Sequence, residues 1–189
     1  RLAVTVAAVL ALAATFSAAD EKSDRPRRTD WVASVPKPKP ISLPQGKEIE
    51  EAIDREVAFL LERQNSDGSW GSARQTKGLN IYAPAPGAHQ GFRAAVTSLC
   101  VSALLEAGGA KAAAAVDRGE AWLLANLPKV RRATPDAIYN NWAHCYAIHA
   151  LAQLYSHRSG DAAKQAALRQ AIVQQLDRLE RYECVDGGW

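Results

Sequence analysis

The chain has 189 residues, nearly half of them apolar, and a formal net charge of +3. That is material for about one domain with a real core. The positive excess sits in residues 20–47, where seven Lys or Arg face four Asp or Glu, while residues 48–189 hold fifteen against sixteen. A domain so near neutrality implies no nucleic-acid partner, and its basic cluster, Lys129-Val130-Arg131-Arg132, reads as a solvated loop.

Leu2 to Phe16 is an apolar run behind Arg1, and Ser17-Ala18-Ala19 supplies the small residues of a signal-peptidase site. Residues 1–19 are therefore expected to be a signal peptide cut before Asp20, and the protein to be exported to the periplasm, the envelope or the medium. Left uncut, the same stretch nearly matches a bilayer in length and would be the membrane contact. Residues 20–47 carry Pro26, Pro36, Pro38, Pro40 and Pro44 among charges, a composition that favours an extended linker over a core.

Residues 48–189 read as five helices of two kinds. Segment 48–63 spaces Ile49, Ile53, Val57, Leu60 and Leu61 along one face, as expected of an outer helix with one wet side. Segments 111–127 (Val116, Leu123, Leu124, Leu127) and 162–182 (Leu168, Ile172, Leu176, Leu179) carry the same stripe. Segments 94–107 and 141–156 are apolar almost all round, the pattern of inner helices surrounded by others. The first outer helix runs into Gln64-Asn65-Ser66-Asp67-Gly68-Ser69-Trp70. The Asp-Gly step demands a sharp turn. Trp70 is expected to cover that turn, and the Gln64 amide to satisfy carbonyls the last helical turn leaves unpaired.

The outer helices look like copies. Residues 53–64 set against 116–127, at an offset of 63, match Asp54 with Asp117, Arg55 with Arg118, Ala58 with Ala121, Leu60 with Leu123 and Leu61 with Leu124. A shared exposed Asp-Arg pair is telling, because core packing does not require it. The second copy has Pro128 in place of the turn. The third returns to it, with Asp186-Gly187-Gly188-Trp189 at an offset of 119 from the first. The chain lacks methionine and stops inside this motif, so it is expected to be a piece of a longer reading frame.

QNSDGSW resembles the QW motif of the squalene cyclase and prenyltransferase superfamily, with a degenerate copy at 186–189, over about 140 residues from Glu48 onward. The resemblance implies an all-α fold, part of an α/α toroid built from outer and inner helix pairs, in which Gln64, Asp67, Gly68, Trp70, Asp186, Gly187 and Trp189 are structural. Five helices leave an apolar edge to be covered. The cyclases of the family protonate substrate with a DxDD motif, and none occurs in these residues. Protein prenyltransferases hold zinc with Asp, Cys and His. Here Asp136, Cys100, Cys145, His89, His144 and His149 are the available types, at no recognisable ligand spacing. No catalytic residue, metal or cofactor is assigned.

Trp142, Cys145, Tyr146, His149 and Gln153 share one face of the second inner helix and are the candidate lining of a pocket for an apolar ligand. Asp136, at the head of that helix, and His89, at the end of the long loop 72–93, join them, although an N-cap and a packed surface loop explain those two as well. Gln90 and Arg93 arrive at the same place as His89. A disulfide between Cys100 and Cys145 is conceivable, but spacing does not fix it. The expected function is that of an exported, non-catalytic binding or scaffold toroid for an isoprenoid- or lipid-like molecule or an envelope protein. The alternative is a terpene cyclase or prenyltransferase-type enzyme whose acid or metal site lies beyond these residues.

Overall fold

A computed structural model describes residues 42–74, 89–130 and 140–187, and these are entirely helical or loop. The elements are α1 (Gly46–Glu62), α2 (His89–Ala107), α3 (Gly109–Asn126) with a 3₁₀ turn at Leu127–Lys129, α4 (Asn140–His157) and α5 (Ala162–Tyr182). All belong to one unit, Pro44–Trp189. The segment read as a signal peptide, most of the linker, Asp136 and Trp189 lie outside the described residues.

Local chemistry sets the helix ends. Glu48 Oε2 accepts the backbone N–H of Gln45 at 2.7 Å, and Asp161 Oδ1 accepts that of Lys164 at 3.0 Å, so α1 and α5 each begin on a carboxylate that takes an orphan donor. Between α2 and α3 the chain reverses at Gly108 and Gly109. Gly109 has φ +54°, a conformation that side chains disfavour. The Gly108 N–H returns to Leu104 O at 3.0 Å and closes the end of α2.

The five helices form two layers. α2 and α4 make the most extensive contact, α3 packs on α2, and α5 on α4. Small residues permit that central approach: Ala94, Ala143, Ala147 and Ala150 are fully buried. The two helices run parallel, because Gly91 abuts Asn140 near their starts and Gln153 Nε2 donates to Glu106 Oε1 (2.8 Å) near their ends. Around them Leu104, Leu123, Leu127, Leu151, Leu154 and Leu168 are sealed from water, each contributing about 1.5–3 kcal/mol of burial.

The division into outer α1, α3, α5 and inner α2, α4 follows the hydrophobic pattern, with three departures. The inner helices are not surrounded: Val96, Leu99, Trp142 and Tyr146 stay exposed, because the described neighbours cover only part of each circumference. On α1, Ile49 and Ile53 are exposed and the buried contact shifts to Val57, with Leu60 and Leu61 half-buried. On α5, Leu176 is exposed while Gln175 is buried, because a hydrogen bond to His144 draws Gln175 inward.

Candidate functional site

The turn after α1 is the best-defined polar structure in the chain. Gly68 closes it with φ +91°, its N–H donating to Asn65 O at 2.9 Å. Asp67 accepts the Ser69 hydroxyl (2.7 Å), the Arg93 guanidinium from α2 (2.6 Å) and the Trp122 indole from α3 (3.2 Å). Arg93 also lies over the Trp122 ring, 5.2 Å from its centroid. Burial alone would raise the Asp67 pKa, but the Ser69 hydroxyl and N–H and the Arg93 charge outweigh it and hold the carboxyl below the usual carboxylate value. One carboxylate thus ties three helices together.

Trp70 and Gln64 exchange the roles expected of them. The Trp70 indole N–H donates to Leu60 O (2.7 Å), so the tryptophan satisfies the last turn of α1. Gln64 Nε2 donates to Gly68 O (2.9 Å) and to Ala115 O of α3 (2.8 Å), and Gln64 Oε1 accepts from Arg118. The glutamine is a cross-link to the next outer helix, placed beyond the reach of its own helix end. Buried Trp70 also exchanges backbone hydrogen bonds with the Thr97 hydroxyl of α2, at 3.0 and 3.2 Å.

The turn at 184–187 has the same form. The Gly187 N–H donates to Cys184 O at 2.9 Å, and Gly187 has φ +80°, so the offset of 119 seen in sequence is also one of geometry. Asp186 and Gly187 stand where Asp67 and Gly68 do. The shared aspartates of α1 and α3 behave alike too: Asp54 pairs with Lys111 (2.7 Å), in the first turn of α3, and Asp117 with Arg158, in the connection between α4 and α5. Arg158 also binds Glu120, which is 3% exposed. Burial by itself would lower the Arg158 pKa, but its bonds to Glu120 and Asp117 raise it. Sequence reasoning missed this pair: the offset of 63 sets Glu120 opposite buried Val57, which was the available signal of an interior position, but the partner Arg158 lies 38 positions away.

The candidate lining residues lie together on open surface. Trp142 is 56% and Tyr146 41% exposed, Cys145 and His149 are exposed beside them, and Gln153 is half-buried against Glu106. On α2, which packs against α4, Val96 and Leu99 are exposed as well. His89 is half-buried in the first turn of α2, as is Gln90. Arg93 is committed to the turn. His144, one residue before Cys145, points the other way into the core, where its Nδ1 is 2.8 Å from Gln175 Oε1 and its ring is 5.8 Å from that of Tyr182. Burial and the nearby Arg178 charge lower its pKa against the opposing pull of Gln175.

The three cysteines are free, Cys100 buried and Cys145 and Cys184 exposed, so the conceivable Cys100–Cys145 bridge is not formed. Burial pushes the Cys100 thiol up to about 11, which makes it an inert core group. Among the described residues no three His, Cys, Asp or Glu side chains converge as metal ligands, and no described helix is long and apolar enough to cross a membrane. Comparison with known proteins finds no matching family model, curated protein or solved structure.

Proposed function

We propose that this chain is part of an exported, non-catalytic α/α toroid of the squalene cyclase and prenyltransferase repeat type, and that the face shared by α2 and α4 binds an apolar, isoprenoid- or lipid-like molecule. The observation that carries this reading is the exposure of Val96 and Leu99 on α2 and of Trp142 and Tyr146 on α4, two parallel helices that are packed against each other. Contiguous apolar and aromatic surface of this kind is costly in water and marks a binding surface. Its polar groups, Cys145, His149 and the Gln153–Glu106 pair, are few, as suits a site that orients a mostly apolar ligand. The two Asp-Gly turns support the repeat assignment, since both lie at outer-helix ends and the first braces its neighbours. Export rests on the apolar segment and small residues of 1–19.

The test is titration of the purified chain with farnesol, displacing the fluorescent apolar probe anilinonaphthalene sulfonate. Trp142→Ala should weaken farnesol binding about tenfold, the loss expected of a central aromatic anchor. Tyr155→Ala removes an exposed aromatic of α4 that lies off the stripe and should leave binding unchanged. Equal loss from both substitutions, or from neither, overturns the proposed face.

A further inference from the structure

The last turn of α2 holds a carboxylate where a helix disfavours one. Glu106 is exposed, one residue before the end of α2, and the partial negative charge of a helix C-terminus repels it. α4 runs parallel to α2, and the Gln153–Glu106 hydrogen bond joins the two near their ends, so the C-terminus of α4 adds to the same field. The cations that follow the two helices are engaged elsewhere, Lys111 with Asp54 and Arg158 with Asp117 and Glu120. Among the described residues Glu106 has no ion pair, and its oxygen Oε1 accepts from the neutral Gln153 amide at 2.8 Å. Two further acceptor oxygens lie on the same helices. Ser102, one turn before Glu106 on one face of α2, is 9% exposed, and its hydroxyl is buried without a hydrogen-bond partner. Ser98, a turn earlier still, shows the ordinary outcome for a buried helical serine, donating to Ala94 O at 2.8 Å. Gln153 Oε1 is likewise buried and unpartnered, on the amide whose nitrogen holds Glu106.

This end of the helix pair is rich in acceptors and negative potential and poor in donors, and buried oxygens left without a donor cost free energy. On α4, Gln153 shares one face with the exposed Tyr146 and Trp142. We propose that this face takes an apolar molecule with a primary ammonium head, the head seated on Glu106, Gln153 and Ser102 and the chain along Tyr146 and Trp142. This rests on the apolar-ligand reading of the face and adds the chemical class of the head. An ammonium brings three N–H donors, no acceptor and a positive charge, the features that three acceptor oxygens and two helix C-termini lack among themselves. It takes the place of the Gln153 amide on Glu106, and Gln153, once released, turns its Oε1 to another of the three donors. A hydroxyl head supplies a single donor and no charge, and a carboxylate or diphosphate head is repelled by Glu106.

The test is isothermal titration calorimetry of the purified chain with farnesylamine, farnesol and farnesoic acid, at about pH 8, where a primary amine is cationic. Farnesylamine should bind about fivefold more tightly than farnesol, and farnesoic acid more weakly than either. Glu106→Gln changes an exposed position and relieves the helix end, so the fold is kept. In that variant the amine should bind no more tightly than the alcohol does. Added salt should shrink the amine's advantage in the wild-type chain, because the head and Glu106 meet at the surface. An amine that binds no better than the alcohol, or an advantage that survives Glu106→Gln or is indifferent to salt, overturns the ammonium assignment, while farnesol binding still supports the apolar face. Failure of all three compounds to bind overturns both.

Discussion

At the scale of single residues, the glycines of the chain separate backbone strain from steric exclusion. Gly68, Gly109 and Gly187 all have positive φ, at +91°, +54° and +80°. Among the described residues, nothing lies within 4 Å of a Cβ added at Gly109, and at Gly187 the nearest atom is 4.0 Å away, so alanine there costs only the conformational strain, about 1 kcal/mol. At Gly68 the same methyl would be driven into the Arg118 carbonyl, and relief requires moving α3 away from Gln64 and Trp70. Gly68→Ala is expected to cost about 3 kcal/mol or more, seen as a thermal midpoint far below those of Gly109→Ala and Gly187→Ala. Equal midpoints for the three variants would show that the turn does not clamp the two helices. Asp67 adds a pH signature. Its folded pKa lies below the ordinary 3.8, so its contribution is present above that value and is lost as the pH falls through the acid range beneath it.

At the scale of elements, α5 is held by one buried histidine and one arginine. His144 of α4 meets Gln175, and Arg178 donates to the carbonyls of Val130 and, at 2.6 Å, Pro128 at the end of α3. The His144 pKa is lowered on folding, so the unfolded chain binds the proton more readily. Stability is complete above the ordinary value near 6.5 and declines as the pH falls below it. Urea midpoints should therefore drop between about pH 7 and pH 5, and His144→Gln should flatten that dependence even if it lowers the plateau. A second element-scale lock is Arg158, between α4 and α5, on buried Glu120. Arg158→Met strands that carboxylate and is expected to cost about 3–5 kcal/mol by urea denaturation, whereas Glu120→Gln, which keeps the hydrogen bond, should cost less.

Elements were also the most legible level in the sequence. The helix expected at 162–182 is α5 end to end, and 48–63, 111–127 and 141–156 are each within two residues of α1, α3 and α4. Periodicity reports which residues avoid water, and in this chain it does so faithfully for Leu123, Leu151 and Leu168. It failed where a polar partner decided burial. Gln175 is interior because His144 is there to meet it, and Glu120 because Arg158 is; both partners lie more than thirty positions away, beyond any local pattern. The start of α2 was missed by five residues, since His89, Gln90 and Arg93 read as loop and Arg93 is helical in order to reach Asp67. The candidate stripe on α4 was legible as a shared face. That it would be open could not be read, because an apolar face looks the same in sequence whether a neighbour covers it or not.

At the scale of the whole molecule, stability is distributed unevenly along the layer order. α2 and α4 make the most extensive contact, α3 and α5 are anchored to them by turns and ion pairs, and α1 touches α2 and α3 lightly. Local opening follows this gradient, because a helix with few buried contacts separates from the rest at lower free energy than global unfolding requires. In dilute solution the amides of α1 before Val57 should exchange first and those around Ala147–Leu154 last. Substitution at equivalent positions reads the same gradient by a second route. Ile53 and Val116 stand at equivalent positions when residues 53–64 are set against 116–127, but Ile53 is exposed and Val116 is buried. Ile53→Glu should change the stability of the monomer by no more than about 0.5 kcal/mol, since the charge stays hydrated. Val116→Glu places an unpaired carboxylate against α2 and should cost more than about 4 kcal/mol, or abolish folding. Near-equal costs would mean that α1 is packed as tightly as α3, and the exchange gradient would then have to vanish with it.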